Sequence, residues 1–362
     1  MNRYRHTLLR AFHENETYYE LWQELRAMVS SDHFINPVVQ TDATLQAVLY
    51  AHEYAWVMVL LLHGIPREVM AALLLGTVAV VFHPSRPKTE RPSHYNGDGP
   101  GVYVAQISVA GRQGRGLNRR ETKALMDLLN QYVLAYNNFE RYEKEGTEPR
   151  STQEKSIAQQ AASIDSRFGI KPAGMHRLQP RFISGKLGRM RVQELINVMS
   201  RRCAVVAGDE HEDGEAWQVS LPSMIGCSDN IHQRIPAYHP DPAKVCFLSY
   251  TTYTFGLVLC AVMELGLTPE VTTVPVLRIW DIGQLPAAEM LITLLASSLV
   301  SQDGYNVVQG GNKPTKLVQT KDRIYIIARC PYLHENVTKT LEELRRRQQF
   351  LELMDSVNNP GS

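Results

Sequence analysis

Met224-Ile-Gly-Cys-Ser-Asp-Asn-Ile-His-Gln-Arg234 reads as a strand end, a glycine turn, a Ser/Asp cap and a short helix with an arginine one turn in. Farther on, Leu285-Pro-Ala-Ala-Glu-Met-Leu-Ile292 sets a lone carboxylate, Glu289, in an otherwise apolar helical run. That run breaks at Gly304-Tyr-Asn306 and again at Gly310-Gly-Asn312. An arginine together with one inward carboxylate suits phosphate-ester hydrolysis. The first neutralises equatorial charge and the second holds a divalent cation.

Composition sets outer bounds. The 362 residues suffice for two domains or one large one, and a net charge of +1, from 38 basic and 37 acidic residues, gives no global pull toward nucleic acid or membrane. Five cysteines with no Cys-x-x-Cys pair suggest a reducing interior, without disulfides or structural zinc. The most apolar runs, 55–62 and 70–81, are each shorter than a bilayer span and are separated by His63-Gly-Ile-Pro-Arg-Glu68. The opening residues resemble neither a signal nor a transit peptide. The expectation is an intracellular protein, nuclear or cytoplasmic, with no membrane partner.

Helical spacing dominates 4–82, with a strand expected at 78–82, and 102–109 alternates like a strand. Asn118 and Glu121 form a capping-box pattern ahead of an amphipathic helix over 122–139. Segment 140–160 is rich in Glu, Lys, Gln and Thr and reads as part of a polar linker. The division that follows is a mainly helical region 1–140, a linker 141–166, a domain 167–335 with a basic lead-in, and a terminal helix and tail 336–362. Strands are expected at 203–207, 217–225, 271–280 and 323–329, with helices at 251–265 and 335–353 and another around Glu289.

The second region resembles the GIY-YIG endonuclease superfamily over about 203–312. Met224-Ile-Gly226 stands where the family has Tyr-Ile-Gly, Arg234 where its helix carries an arginine, and Tyr238 where a Tyr or His is frequent. Glu289 corresponds to the metal-binding glutamate, and Gly304-Tyr-Asn306 with Gly310-Gly311 to the closing asparagine and glycines. The resemblance implies an α+β fold with a small mixed or antiparallel sheet flanked by helices. It also implies Mg²⁺- or Mn²⁺-dependent cleavage of nucleic acid, DNA before RNA. Arg234 would stabilise phosphate, Glu289 would hold the metal, and Tyr238 and Asn306 would support them.

The first motif is expected on the 203–207 strand, which reads Cys203-Ala-Val-Val-Ala207, and Met224 replaces the second tyrosine, so both phenols are missing. Tyr238, His232 or His239 would then have to activate water. Pro100-Gly-Val-Tyr103 looks like a first motif, but no Tyr-Ile-Gly follows at usable spacing, so it reads as coincidence or a decayed copy.

Between Asp165 and Arg202 nine basic residues face two acids, and Arg189, Arg191, Arg201 and Arg202 are the candidates for a phosphate track. Gly111-Arg-Gln-Gly-Arg-Gly116 reads as a turn. Two alternatives stand beside the nuclease: an inactive relative that binds nucleic acid or a protein, and an assembly protein that oligomerises through its N-terminal helices or the terminal helix with Leu341, Leu344, Phe350, Leu351 and Met354.

Overall fold

The computed structural model describes residues 3–15, 17–29, 52–87, 95, 99–149, 151–167, 179–206, 215–238, 240, 253–308, 310 and 332–358. Residues Gly101–Val109 (β1) include four β-branched residues and Tyr103, and every one is buried. A strand with no wet face belongs at the centre of a sheet. β1 pairs antiparallel with Ser223–Ser228 (β2) on one side and Pro269–Arg278 (β3) on the other, in the order β2-β1-β3. Tyr103 lies opposite Gly226 and Ala105 opposite Met224. On the β3 side the register slips between Val102, opposite Leu277, and Tyr103, opposite Pro275. This bulge accommodates a proline that has no N–H to donate.

Among the described residues twelve α-helices surround the sheet, and the fold is α+β. The first five are Arg3–Asn15 (α1), Tyr18–Val29 (α2), His52–His63 (α3), Arg67–Leu75 (α4) and Val78–Val81 (α5). The strand expected at 78–82 is therefore the short helix α5, held by Gln106 of β1, whose Oε1 accepts from the Ala79 amide at 2.8 Å.

Arg119–Glu145 (α6) starts with the capping box read from sequence: Asn118 Oδ1 accepts from Glu121 N, and Glu121 accepts from Asn118 N, each at 2.9 Å. The linker expected over 141–166 is instead the end of α6 and a second capped helix, Thr152–Ser166 (α7). Its composition is polar, but Ile157, Ala161 and Ile164 recur at helical spacing and reach the core. Gly185–Val206 (α8) absorbs the strand expected at 203–207 through residue 206. Buried Val192, Leu195, Ile196, Met199 and Cys203 form a 3.6-residue stripe, and this overrides the β-propensity of its last valines.

Ile231–Arg234 (α9) runs into a 3₁₀ turn, Ile235–Tyr238, and Tyr253–Glu264 (α10) precedes β3. Leu285–Leu295 (α11) carries Glu289, and Tyr332–Asn358 (α12) closes the described chain. The expected strand at 323–329 lies outside the described residues, and that at 217–225 is confined to β2.

The four-part division does not follow the core. One buried cluster joins α1–α4, the sheet, α6–α8, α10 and α11. β1 comes from the first part and is the central strand of the second. α12 docks on α3, where Thr340 Oγ1 bonds His63 Nε2 at 2.9 Å and Asn336 Nδ2 donates to His63 O and Ile65 O. Among the described residues no single helix is long and apolar enough to cross a membrane.

Candidate active site

Tyr103 of β1 stands opposite Gly226 of β2, the one pair at which Gly101-Val-Tyr103 and Met224-Ile-Gly226 meet, since Gly101 and Val102 face Ser228 and Cys227. Tyr103 is 1% exposed, and its ring crosses the backbone of Gly226. A Cβ at residue 226 would sit 2.4 Å from the Tyr103 hydroxyl and 2.5 Å from Cζ, so the close approach requires glycine. Asn230 caps α9 by accepting from Gln233 N at 3.2 Å, and the helix delivers Arg234 to the same place. Arg234 Nε donates to the Tyr103 oxygen at 3.4 Å, and the Tyr103 hydroxyl donates to that of Tyr238 at 3.1 Å. The two rings meet edge to face at 5.4 Å, and the guanidinium lies 5.8 Å from the Tyr238 centroid. Burial pushes both phenols up, Tyr103 well above the ordinary phenol range, so both keep their protons at neutral pH.

Glu289 is partly buried on α11, beside β2. Burial pushes its carboxyl up, and the Cys227 thiol, hydrogen-bonded to it, offsets part of that rise. Its charge is felt at Tyr238. The backbone at Gly310 presses on it, and a Cβ there would stand 2.6 Å from Glu289 Cγ. Among the described residues no basic side chain lies within ion-pair distance of Glu289. Glu289 therefore forms no ion pair with Arg234, whose Nε is directed at Tyr103. Mg²⁺ characteristically takes one or two carboxylates and fills its shell with water and phosphate oxygens. A half-buried carboxylate without a cationic partner fits that demand. The described residues hold no cluster of three or more His, Cys, Asp or Glu that would cage a metal without substrate.

Asn306 is engaged by the sheet. Its Oδ1 accepts from Ile225 N and its Nδ2 donates to Ile225 O, both at 2.8 Å, so both ends of the amide are engaged on the outer edge of β2. Asp303, three residues earlier and 3% exposed, joins Arg5 of α1 at 3.0 Å to Arg202 of α8 at 2.6 Å.

The expected phosphate track is also corrected in its geometry. Arg202 is bound to Asp303 and to Ser220 O. Arg201 pairs with Glu194 at 3.2 Å, and Arg189 bonds Asn137 at 2.9 Å with Glu140 3.7 Å away. Arg191 is 7% exposed and lines a cavity of about 110 Å³ with Phe182 and Tyr253. At about 100° per residue only Arg191 and Arg202 share a side of the helix, while Arg189 and Arg201 point elsewhere, so the four form no stripe. His232 is exposed on α9, and His239 lies outside the described residues. Compared with protein-family models, curated proteins and solved structures, the chain matches none.

Proposed function

We propose that the chain is a divergent metal-dependent phosphodiesterase acting on nucleic acid, DNA before RNA, with a site of the GIY-YIG type. The supporting observation is the pairing of Tyr103 with Gly226 across β1 and β2, with Arg234 and Tyr238 converging on the Tyr103 hydroxyl. Arg234 binds the phosphate through its remaining N–H groups while Tyr103 fixes its Nε. Glu289 holds Mg²⁺ or Mn²⁺, which when bound supplies positive charge at the phosphate. Tyr238 orients Tyr103.

A second reading, a binding protein that has lost catalysis, is favoured by Met224 in place of the second phenol and by the burial of both remaining ones. The discriminating experiment offers branched, single-stranded and duplex DNA and RNA to the full chain with Mg²⁺, Mn²⁺ or chelator. Metal-dependent cutting that falls about 10²- to 10³-fold in Arg234→Ala and in Glu289→Ala supports the enzyme. No cutting on any substrate, with both variants folded as the wild type is, establishes the second reading.

A further inference from the structure

At the opposite end of β1, about 20 Å from Tyr103 at 3.4 Å per residue, a second feature stands apart from the candidate site. After Val109 the chain turns tightly through Gly111 and Gly114, both at positive φ (79° and 82°), and enters α6. Residues 216–219 run along this turn. Gly116 N donates to Gln218 O at 2.8 Å, Gln218 N donates to Leu117 O at 3.2 Å, and the Gln218 side chain reaches Thr122 Oγ1 at 3.0 Å. With Gln218 pinned inward, its neighbours Trp217 and Val219 face out, 42% and 47% exposed.

Trp217 is not a stray surface residue. The Arg112 guanidinium covers its indole at 4.9 Å and is itself held by Glu121 through two bonds of 2.7 Å. Arg115 lies in the same turn, and Arg119, Arg120 and Lys123 lie at the start of α6, whose Thr122 holds Gln218. Arg120 pairs with Glu215, both widely exposed. Among the described residues no carboxylate pairs with Arg115, Arg119 or Lys123, and Arg119 Nε is buried without a partner.

We propose that this surface binds a single-stranded segment of nucleic acid, with one unpaired base stacked on Trp217 and phosphates on Arg115, Arg119 and Lys123. An indole fixed by an arginine beneath it and open to solvent is a platform for a base face, and in a duplex that face is already covered. The unneutralised cations supply the backbone contacts. The inference deepens the proposed function by naming the strand state of the substrate and rests on that reading, but its test measures binding alone.

The experiment is fluorescence anisotropy of a labelled oligodeoxythymidylate with the full chain in chelator, across salt. Three phosphate contacts give a slope of log K against log salt of about −2. Arg115→Glu with Lys123→Glu flattens that slope by about 1.4. Trp217→Ala weakens binding about 5- to 150-fold, and Trp217→Phe, which keeps a ring, restores most of it. Trp217 is exposed enough for both variants to fold, which thermal melting checks. Because the assay runs in chelator and reads binding alone, failure of the proposed catalysis leaves this result readable. Equal affinity in the wild type and Trp217→Ala overturns the proposal. So does equal affinity for strand and duplex, or for polyglutamate, which would assign the patch to duplex or to an acidic protein.

Discussion

Arg5 is fully buried, and it shares the Asp303 carboxylate with Arg202. Burial lowers the Arg5 guanidinium to about 10, with Asp303 opposing the drop and Arg202 adding to it. At neutral pH Arg5 is charged whether the chain is folded or unfolded, so the depression is a cost to the folded state. At about 1.4 kcal/mol per pH unit it amounts to roughly 3 kcal/mol. Arg5→Met removes that cost but deprives Ala296 O and Leu73 O of a donor, at about 1 kcal/mol each. The expected net change is within about 1 kcal/mol of zero. Asp303→Asn leaves Arg5 buried beside a neutral group and costs about 3–5 kcal/mol. Urea unfolding followed by circular dichroism should therefore separate the two variants by about 3 kcal/mol or more. Equal losses would refute the reasoning and make the shape of Arg5, packed against Gly76, its contribution. The result also bears on Arg202, whose engagement here removes it from any phosphate track.

Asn306→Leu orphans both backbone groups of Ile225 and should cost about 2–4 kcal/mol in urea unfolding, with nucleic-acid binding unchanged apart from stability. Gly226→Ala drives a methyl into the Tyr103 ring and should cost about 1–3 kcal/mol while displacing Arg234, read by melting and by cleavage. Burial pushes the Asp165 carboxyl up to about 6, and the bond from Tyr132 opposes this. The folded state thus holds a proton that the unfolded chain releases. The contribution of Asp165 to stability is fully present below about pH 4 and is lost as pH rises through about 6; melting curves of Asp165→Asn over pH 4–7 should lack that slope. Tyr103→Phe should slow cleavage by freeing Arg234 without changing the shape of the pH–rate profile. Loss of a basic limb would instead make Tyr103 the general base.

What the sequence disclosed was local. Asn118 and Glu121 sit three residues apart, so the start of α6 could be read without any tertiary knowledge, and so could α10, β3 and the helix around Glu289. Glu289 itself stood out because a carboxylate among Pro286, Ala287 and Met290 requires an explanation. Tyr103 was visible inside Pro100-Gly-Val-Tyr103, but its partner Gly226 is more than a hundred residues away. Strand register over such a distance is fixed by burial on both faces, and periodicity carries no trace of it. The arginines of α8 misled in the opposite way. A basic run in sequence looks continuous, but a helix scatters it, and the carboxylates that quench it, Glu140, Glu194 and Asp303, come from three places.

The site's construction follows from that distance. α6, α7 and α8 all lie between β1 and β2, where antiparallel neighbours can be joined directly by a connection of at most about ten residues. The entropic cost of closing a loop grows only as the logarithm of its length, so the longer path adds about 2 kcal/mol if it is treated as flexible chain. The compensation is visible on β2. Its inner edge takes the β1 ladder, and its outer edge takes the Asn306 amide and Tyr305 N, which donates to Ser223 O at 3.0 Å. Each bond contributes about 1 kcal/mol net, so the outer edge alone offsets the longer closure. The same outer segment carries Asp303, which α1 and α8 grip through Arg5 and Arg202. The N-terminal helix and the inserted helices therefore hold β2 in the register that seats Tyr103 over Gly226. In this chain the positioning of Arg234 depends on ion pairs and clamps remote from it in sequence, where a hairpin would have fixed it locally.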